Sequence, residues 1–254
     1  MGLDVEKIKI ICLHGFLGQP TDWDLIQSHF MVSPLAQSFV WNSVDYMNEE
    51  ILNPLNSYTK WAQNFTKKIA HQFPQGPRVL VGYSMGGRLA LHALAESPQL
   101  FDAVVLLSTN PGLTREKDIA ERLKSDLGWA QKFIKDPWDR VVGEWNAQGV
   151  FKESVAEPRR LESFYDRALL SSALTEWSLA RQADFRDLMA AQQEKIICLS
   201  GEKDIKFLSL AMELKKKAPA MIEATVPHAS HRILFDNPTD VAAKMIEFVT
   251  KKLV

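Results

Sequence analysis

Arg78–Ala93 reads RVLVGYSMGGRLALHA: a short apolar run, then a serine set among three glycines, then residues with helical spacing. Val79, Leu80 and Val81 suit a buried strand, and Arg88–Glu96 suit a helix. A chain that stops being strand at Gly82 and restarts as helix near Met85 has little room at the corner, so the flanking positions must be almost free of side chains. Gly82, Gly86 and Gly87 meet that need. Such a G-x-S-x-G corner holds the hydroxyl of Ser84 exposed above the carboxyl end of a sheet. The pattern is common by itself, and its weight here comes from the strand before it and the helix after it.

Outward from this corner, apolar runs bounded by turn residues recur at Lys9–Leu13, Ser38–Val44, Ala103–Leu107, Ile196–Leu199 and Ile222–Val226. Segments with helical spacing lie between most of them: Tyr58–Phe73 aligns Trp61, Phe65 and Ile69, and Thr239–Leu253 aligns Val241, Met245 and Phe248. The alternation predicts an α/β fold with a mostly parallel central sheet flanked by helices. It fails between Pro111 and Gln193, which reads as helix after helix, rich in aromatics and without a convincing strand. The expected organisation is therefore a core formed by residues 1–110 and 194–254, with a helical cap subdomain inserted at 111–193.

Ligands gather at the carboxyl ends of strands in open parallel sheets. The first strand delivers His14–Gln19, whose glycines allow a tight turn, so that the amide of Phe16 could pair with that of Met85 as a cradle for negative charge. His14 reads as an anchor for this loop. The strand in KIICLSGEKD delivers Asp204, and the last strand delivers VPHASHR, with two candidate histidines, His228 and His231. A serine hydroxyl is a weak base or nucleophile until an imidazole takes its proton, and the imidazole needs a carboxylate to fix its tautomer. Asp204 is also well placed to cap the helix beginning near Ile205. His71 and His92 fall within helices and carry no chemical role in this reading.

Composition narrows the function classes. With 254 residues, 46% of them hydrophobic, the chain can bury a large core, and its formal charge of -1, with the signs interspersed, suggests no nucleic-acid surface and no polybasic membrane patch. The N-terminus lacks the pattern of a secretory leader, and Glu6 stands where a myristoylation signal at Gly2 would need Ser or Thr, so a cytoplasmic protein without membrane insertion is expected. Cys12 and Cys198 each lie in a strand-like run and read as buried free thiols. No dinucleotide fingerprint or metal-ligand spacing appears, so no cofactor and no metal are expected.

Several stretches together carry a family resemblance: LHGFLG, VGYSMGGRLAL, NPGL at Asn110–Leu113, AERLKSDLGWAQKF at Ala120–Phe133, SLARQADF at Ser178–Phe185 and GEKDIKF at Gly201–Phe207. The chain resembles the 2-succinyl-6-hydroxy-2,4-cyclohexadiene-1-carboxylate synthases of menaquinone biosynthesis, lyases with the α/β-hydrolase fold. The first two stretches occur throughout that superfamily, and the others are more specific to the synthases. The resemblance implies a Ser84–His231–Asp204 triad, His231 being favoured by its distance from Asp236–Pro238. It also implies an oxyanion hole at the amides of Phe16 and Met85. Arg88, Arg122 and Arg167 match substrate-binding arginines, and Tyr83 and Trp145 match positions that line the pocket. The implied reaction eliminates pyruvate from a small anionic polycarboxylate, 2-succinyl-5-enolpyruvyl-6-hydroxy-3-cyclohexene-1-carboxylate, in a monomer or small homo-oligomer. Two departures stand out: VDYMNEE at Val44–Glu50 replaces the family's DLPGHG turn, and Ser230 replaces the glycine before the histidine. A carboxylesterase or C-C bond hydrolase with the same triad, and a non-catalytic receptor of the same fold, remain alternatives.

Overall fold

The computed structural model describes residues 6–154 and 159–254, so Gly2 lies outside the described residues. Its strands are β1 (Ile8–Leu13), β2 (Phe39–Ser43), β3 (Arg78–Tyr83), β4 (Ala103–Leu107), β5 (Ile196–Gly201) and β6 (Ile222–Val226). They form one sheet in the order β2-β1-β3-β4-β5-β6, and every pairing is parallel. Alternation sorts each inner strand between two cores. Ile8, Ile10 and Cys12 face one side of β1, while Ile11 and Leu13 face the other. Both faces are thus apolar, which is why these strands read as continuous hydrophobic runs. At the open edge, β6 buries only Val226 fully.

Right-handed crossovers decide which helix covers which face. From β1 the chain moves outward through α1 (Asp24–Val32) to β2, then reverses through α2 (Tyr58–Gln72), α3 (Met85–Glu96) and α8 (Ile205–Lys217) toward β6. The reversal puts α1 on one face and α2, α3 and α8 on the other; after a short α9 (Ile233–Asp236), α10 (Pro238–Leu253) returns to lie beside α1. On α2, Trp61, Phe65 and Ile69 are fully buried at the expected spacing, each contributing about 1.5–3 kcal/mol through removal from water. The order reverses between β1 and β3, so a crevice opens at their carboxyl ends.

Four helices separate β4 from β5 among the described residues: α4 (Glu116–Lys135), α5 (Trp138–Asn146), α6 (Arg167–Glu176) and α7 (Arg186–Ala191). Phe133, Trp138, Val141, Leu170 and Leu174 form a separate apolar cluster over the crevice, and Leu17 joins it from the loop after β1. Trp177, Phe185 and Met189 instead pack into the core beside the sheet. Both cysteines are free and buried, and burial pushes the Cys198 thiol up to about 12.

The glycines at the corner answer to specific contacts. A Cβ on Gly82 would lie 2.6 Å from the carbonyl oxygen of Gly86, and one on Gly87 1.8 Å from Oγ1 of Thr109. One on Gly86 would stand 2.2 Å and 2.4 Å from the carbonyl oxygens of Leu13 and His14, backbone that cannot swing aside. Gly86→Ala is therefore expected to cost about 2–3 kcal/mol, in the range of core overpacking. A urea-unfolding midpoint equal to wild type would show that the end of β1 yields more easily than this packing implies.

Candidate active site

Ser84 sits at φ 52° and ψ −108°, a strained conformation for a residue with a side chain, held by its amide donating to the carbonyl of Leu107 at 2.9 Å. Its Oγ lies 3.1 Å from Nε2 of His231, and Nδ1 of His231 lies 2.9 Å from Oδ2 of Asp204. Asp204 and His231 are both buried. The same carboxylate also caps α8, Oδ1 accepting from the Phe207 amide at 3.4 Å, so the helix cap and the contact with His231 coincide in one side chain. His228 is exposed on the other side of the loop, its amide bonded to Glu202, and His231 alone of the two candidates reaches Ser84. The histidine loop runs tight against β5: a Cβ on Gly201 would meet the Ser230 carbonyl oxygen at 2.2 Å.

The loop after β1 faces the corner. Gly15 approaches closely enough that a Cβ there would be 3.6 Å from that of Ser84. Met85 opens α3, where an amide has no acceptor within the helix, and the Phe16 amide makes no hydrogen bond among the described residues. His14 anchors the loop: it is buried, its Nδ1 lies 2.8 Å from the Gly15 carbonyl, and its ring stacks on Tyr46 at 4.2 Å. Tyr46 comes from the divergent VDYMNEE segment and donates its hydroxyl to the His14 carbonyl at 2.6 Å. That segment therefore props the loop.

A cavity of about 270 Å³ opens on one side of Ser84, bounded by Arg88, Arg122, Trp145, Phe151, Lys206 and His231 among others. A smaller recess on the other side is lined by Phe16, Tyr83, Trp145 and Arg160, so Trp145 serves both lobes. Arg88 is buried and donates to the Tyr58 hydroxyl and to the Trp177 carbonyl, and it makes no ion pair among the described residues; burial lowers its pKa. Arg122 is held through Nε by both oxygens of Asp126, at 2.9 and 2.8 Å, and Asp126 also accepts from Ser178. Lys206, two residues beyond Asp204, also borders this cavity; its signal in the sequence is its position inside GEKDIKF, in the first turn of the helix that Asp204 caps.

Arg167 falls elsewhere. Its guanidinium donates to the carbonyls of Phe133 and Asp136 at the end of α4 and pairs with Glu162 at 3.1 Å, an arrangement that satisfies orphan carbonyls where a helix carries partial negative charge. It lines neither lobe beside Ser84. Besides Arg122, the cap arginine that does is Arg160, which forks onto both oxygens of Asp22 at 2.8 Å, in a buried pair that ties the cap to the loop carrying Phe16. Among the described residues no group of three or more His, Cys, Asp or Glu could hold a metal ion, and no helix is long and apolar enough to cross a membrane.

A strained serine at a strand-helix corner, backed by histidine and aspartate from later strand ends, defines the class. A model of the alpha/beta hydrolase family matches residues 10–244, and the chain belongs to that family. Within it the chain falls among the 2-succinyl-6-hydroxy-2,4-cyclohexadiene-1-carboxylate synthases. It is 36% identical over 174 residues to the synthase of Escherichia coli O1:K1, covering 67% of each chain. It is 30% identical over 259 residues to a Haemophilus influenzae protein provisionally given the same name, covering 97% of this chain and 99% of that one. Among solved structures, MenH from S. aureus superposes with a TM-score of 0.81 at 18% identity, over 99% of this chain and 96% of that one. A thermophilic esterase from Thermogutta terrifontis gives 0.73 at 16%, over 98% and 92%. At such identities these two likenesses speak for the fold alone.

Tyr58, which accepts from Arg88, is stacked on His92 at 4.0 Å. Burial, and then the Arg88 charge, hold the His92 imidazole down at about 3 against an ordinary 6.5. Between those values the unfolded chain binds a proton there and the folded chain does not, so stability is lost as pH falls from about 6.5 toward 3. His92→Phe keeps the stack and removes this loss. Its urea midpoint, relative to wild type, should rise as pH is lowered from about 7 to 4; a constant difference would show that folding leaves the proton affinity of His92 unchanged.

Proposed function

We propose that the protein eliminates pyruvate from 2-succinyl-5-enolpyruvyl-6-hydroxy-3-cyclohexene-1-carboxylate, giving 2-succinyl-6-hydroxy-2,4-cyclohexadiene-1-carboxylate, a step of menaquinone biosynthesis. The observation that carries this reading is Arg88, a buried cation that opens onto the cavity of Ser84 and makes no ion pair among the described residues. A neutral ester would leave that charge unanswered; a substrate with three carboxylates answers it. The names of the E. coli and H. influenzae relatives support the same reaction.

In this mechanism Nε2 of His231 takes the Ser84 proton, and the serine oxygen removes a proton from the substrate ring. Asp204 holds His231 in the tautomer that presents Nε2 as acceptor and steadies the imidazolium. The electron pair released at C2 forms the C2=C3 bond, the pair of the ring's C3=C4 bond shifts to C4=C5, and the C5–O bond to the enolpyruvyl group breaks. The proton on His231 then returns to the departing enolate carbon, yielding pyruvate. Charge that builds on the succinyl carbonyl meets the amides of Phe16 and Met85, where one such donor contributes about 2.7–4 kcal/mol. Ser84 acts as a base throughout and forms no acyl intermediate, which separates this reading from an esterase of the same fold.

Pyruvate release from the enolpyruvyl substrate, generated in situ by the preceding enzyme, tests the proposal. Wild type should accelerate release far above background, and Ser84→Ala should slow it about 10²–10⁴-fold. Release at the background rate, or a burst of p-nitrophenol from a p-nitrophenyl ester as the main activity, would replace the lyase with a hydrolase.

A further inference from the structure

The residue just after β4, Ser108, is folded at a cost the architecture does not explain. Its φ of 44° lies in the left-handed region, where glycine would be unstrained. Its amide is bonded to the Leu199 carbonyl at 2.9 Å, which pins it between Ser84 on one neighbouring strand end and β5 on the other. The side chain is 1% exposed, and its hydroxyl has no hydrogen-bond partner among the described residues. A buried hydroxyl without a partner is a standing penalty. Ser108 borders the cavity that also holds Ser84, Arg88, Arg122 and Lys206.

The charges around that cavity do not balance. Its titratable side chains are Arg88, Arg122, Asp126, Lys206 and His231. Asp126 answers Arg122, and Asp204 lies behind His231. Arg88 meets only a hydroxyl and a carbonyl, and Lys206 has no ion pair among the described residues. Arg88, Lys206 and Ser108 therefore border one cavity without an anionic side chain bonded to any of them among the described residues. A carboxylate, which only accepts and has two oxygens to share, is the group that completes such a set.

We infer that Ser108 and Lys206, with Arg88, form a carboxylate subsite on the Arg88 side of Ser84, and that Ser108 and Lys206 help select an acid carrying a carboxylate there. The inference deepens the proposed function and rests on it only for the identity of the acid. The carboxylate then supplies the acceptor that the Ser108 hydroxyl lacks among the described residues.

Glycine at 108 separates a binding role from a structural one, because it relieves the strain while deleting the hydroxyl. Succinate titrated calorimetrically at low ionic strength into wild type, Ser108→Gly and Lys206→Met reads the subsite without any turnover. Both variants should weaken succinate about 10-fold, one lost hydrogen bond to a charged group being worth roughly that. The melting temperature of Ser108→Gly should match or exceed wild type. In the pyruvate-release assay both should raise KM with little change in kcat. Unchanged succinate affinity in both variants, or no succinate binding by wild type, would overturn the subsite. Loss of succinate binding in the variants of a protein that releases no pyruvate would leave the subsite standing and remove the proposed reaction instead.

Discussion

The arrangement of this molecule depends on one close approach, the first turn of α3 lying against the last carbonyls of β1 with no side chain between them. At Gly86 the gap is narrower than a methyl group. Because α3 starts so close to the sheet, the residue before it must turn through an unfavourable angle, and Ser84 carries that strain. The same closeness sets the loop after β1 beside the serine, so one contact between backbones both raises the hydroxyl and supplies its neighbours. The parallel sheet, apolar on both faces, makes the approach rigid by fixing β1 and β3 side by side.

Much of this was legible from residue types. Glycine has few reasons to recur at three positions around a serine, and the structure gives each of the three a backbone or side-chain contact that forbids a Cβ. Strands buried on both sides announce themselves as unbroken apolar runs, and the order of residues at their ends is fixed once the sheet is parallel. The imidazole that meets Ser84 was harder to read, since His228 and His231 lie in one short loop. The choice follows from which of them turns inward against Phe207 and Asp204.

The cap resisted reading for a physical reason. Helical periodicity reports which face of a helix is buried, but not what the buried face meets, and arginine serves equally well at a ligand, a carboxylate or the end of a helix. Arg167 stands near the start of α6 and closes the carbonyl end of α4, a contact between segments more than thirty residues apart. Arg160, with no periodic pattern around it, forks onto Asp22 across a separation of 138 residues. Ser108 left no trace in composition at all: only its backbone angle and its unsatisfied hydroxyl distinguish it.

The cap is fastened to the loop after β1 at two points. The buried pair of Arg160 with Asp22 is one, and the Tyr165 hydroxyl on the Leu17 carbonyl at 2.9 Å is the other. Phe16 lies between these fastenings, its ring against Trp145 and Phe133 of the cap. Lid and loop are in effect one hinged plate. Any swing that admitted a bulky acid by lifting the lid would carry the Phe16 amide away from the serine, or would first have to part a desolvated ion pair. In the proposed mechanism the Phe16 amide therefore stands beside the serine only while both fastenings hold.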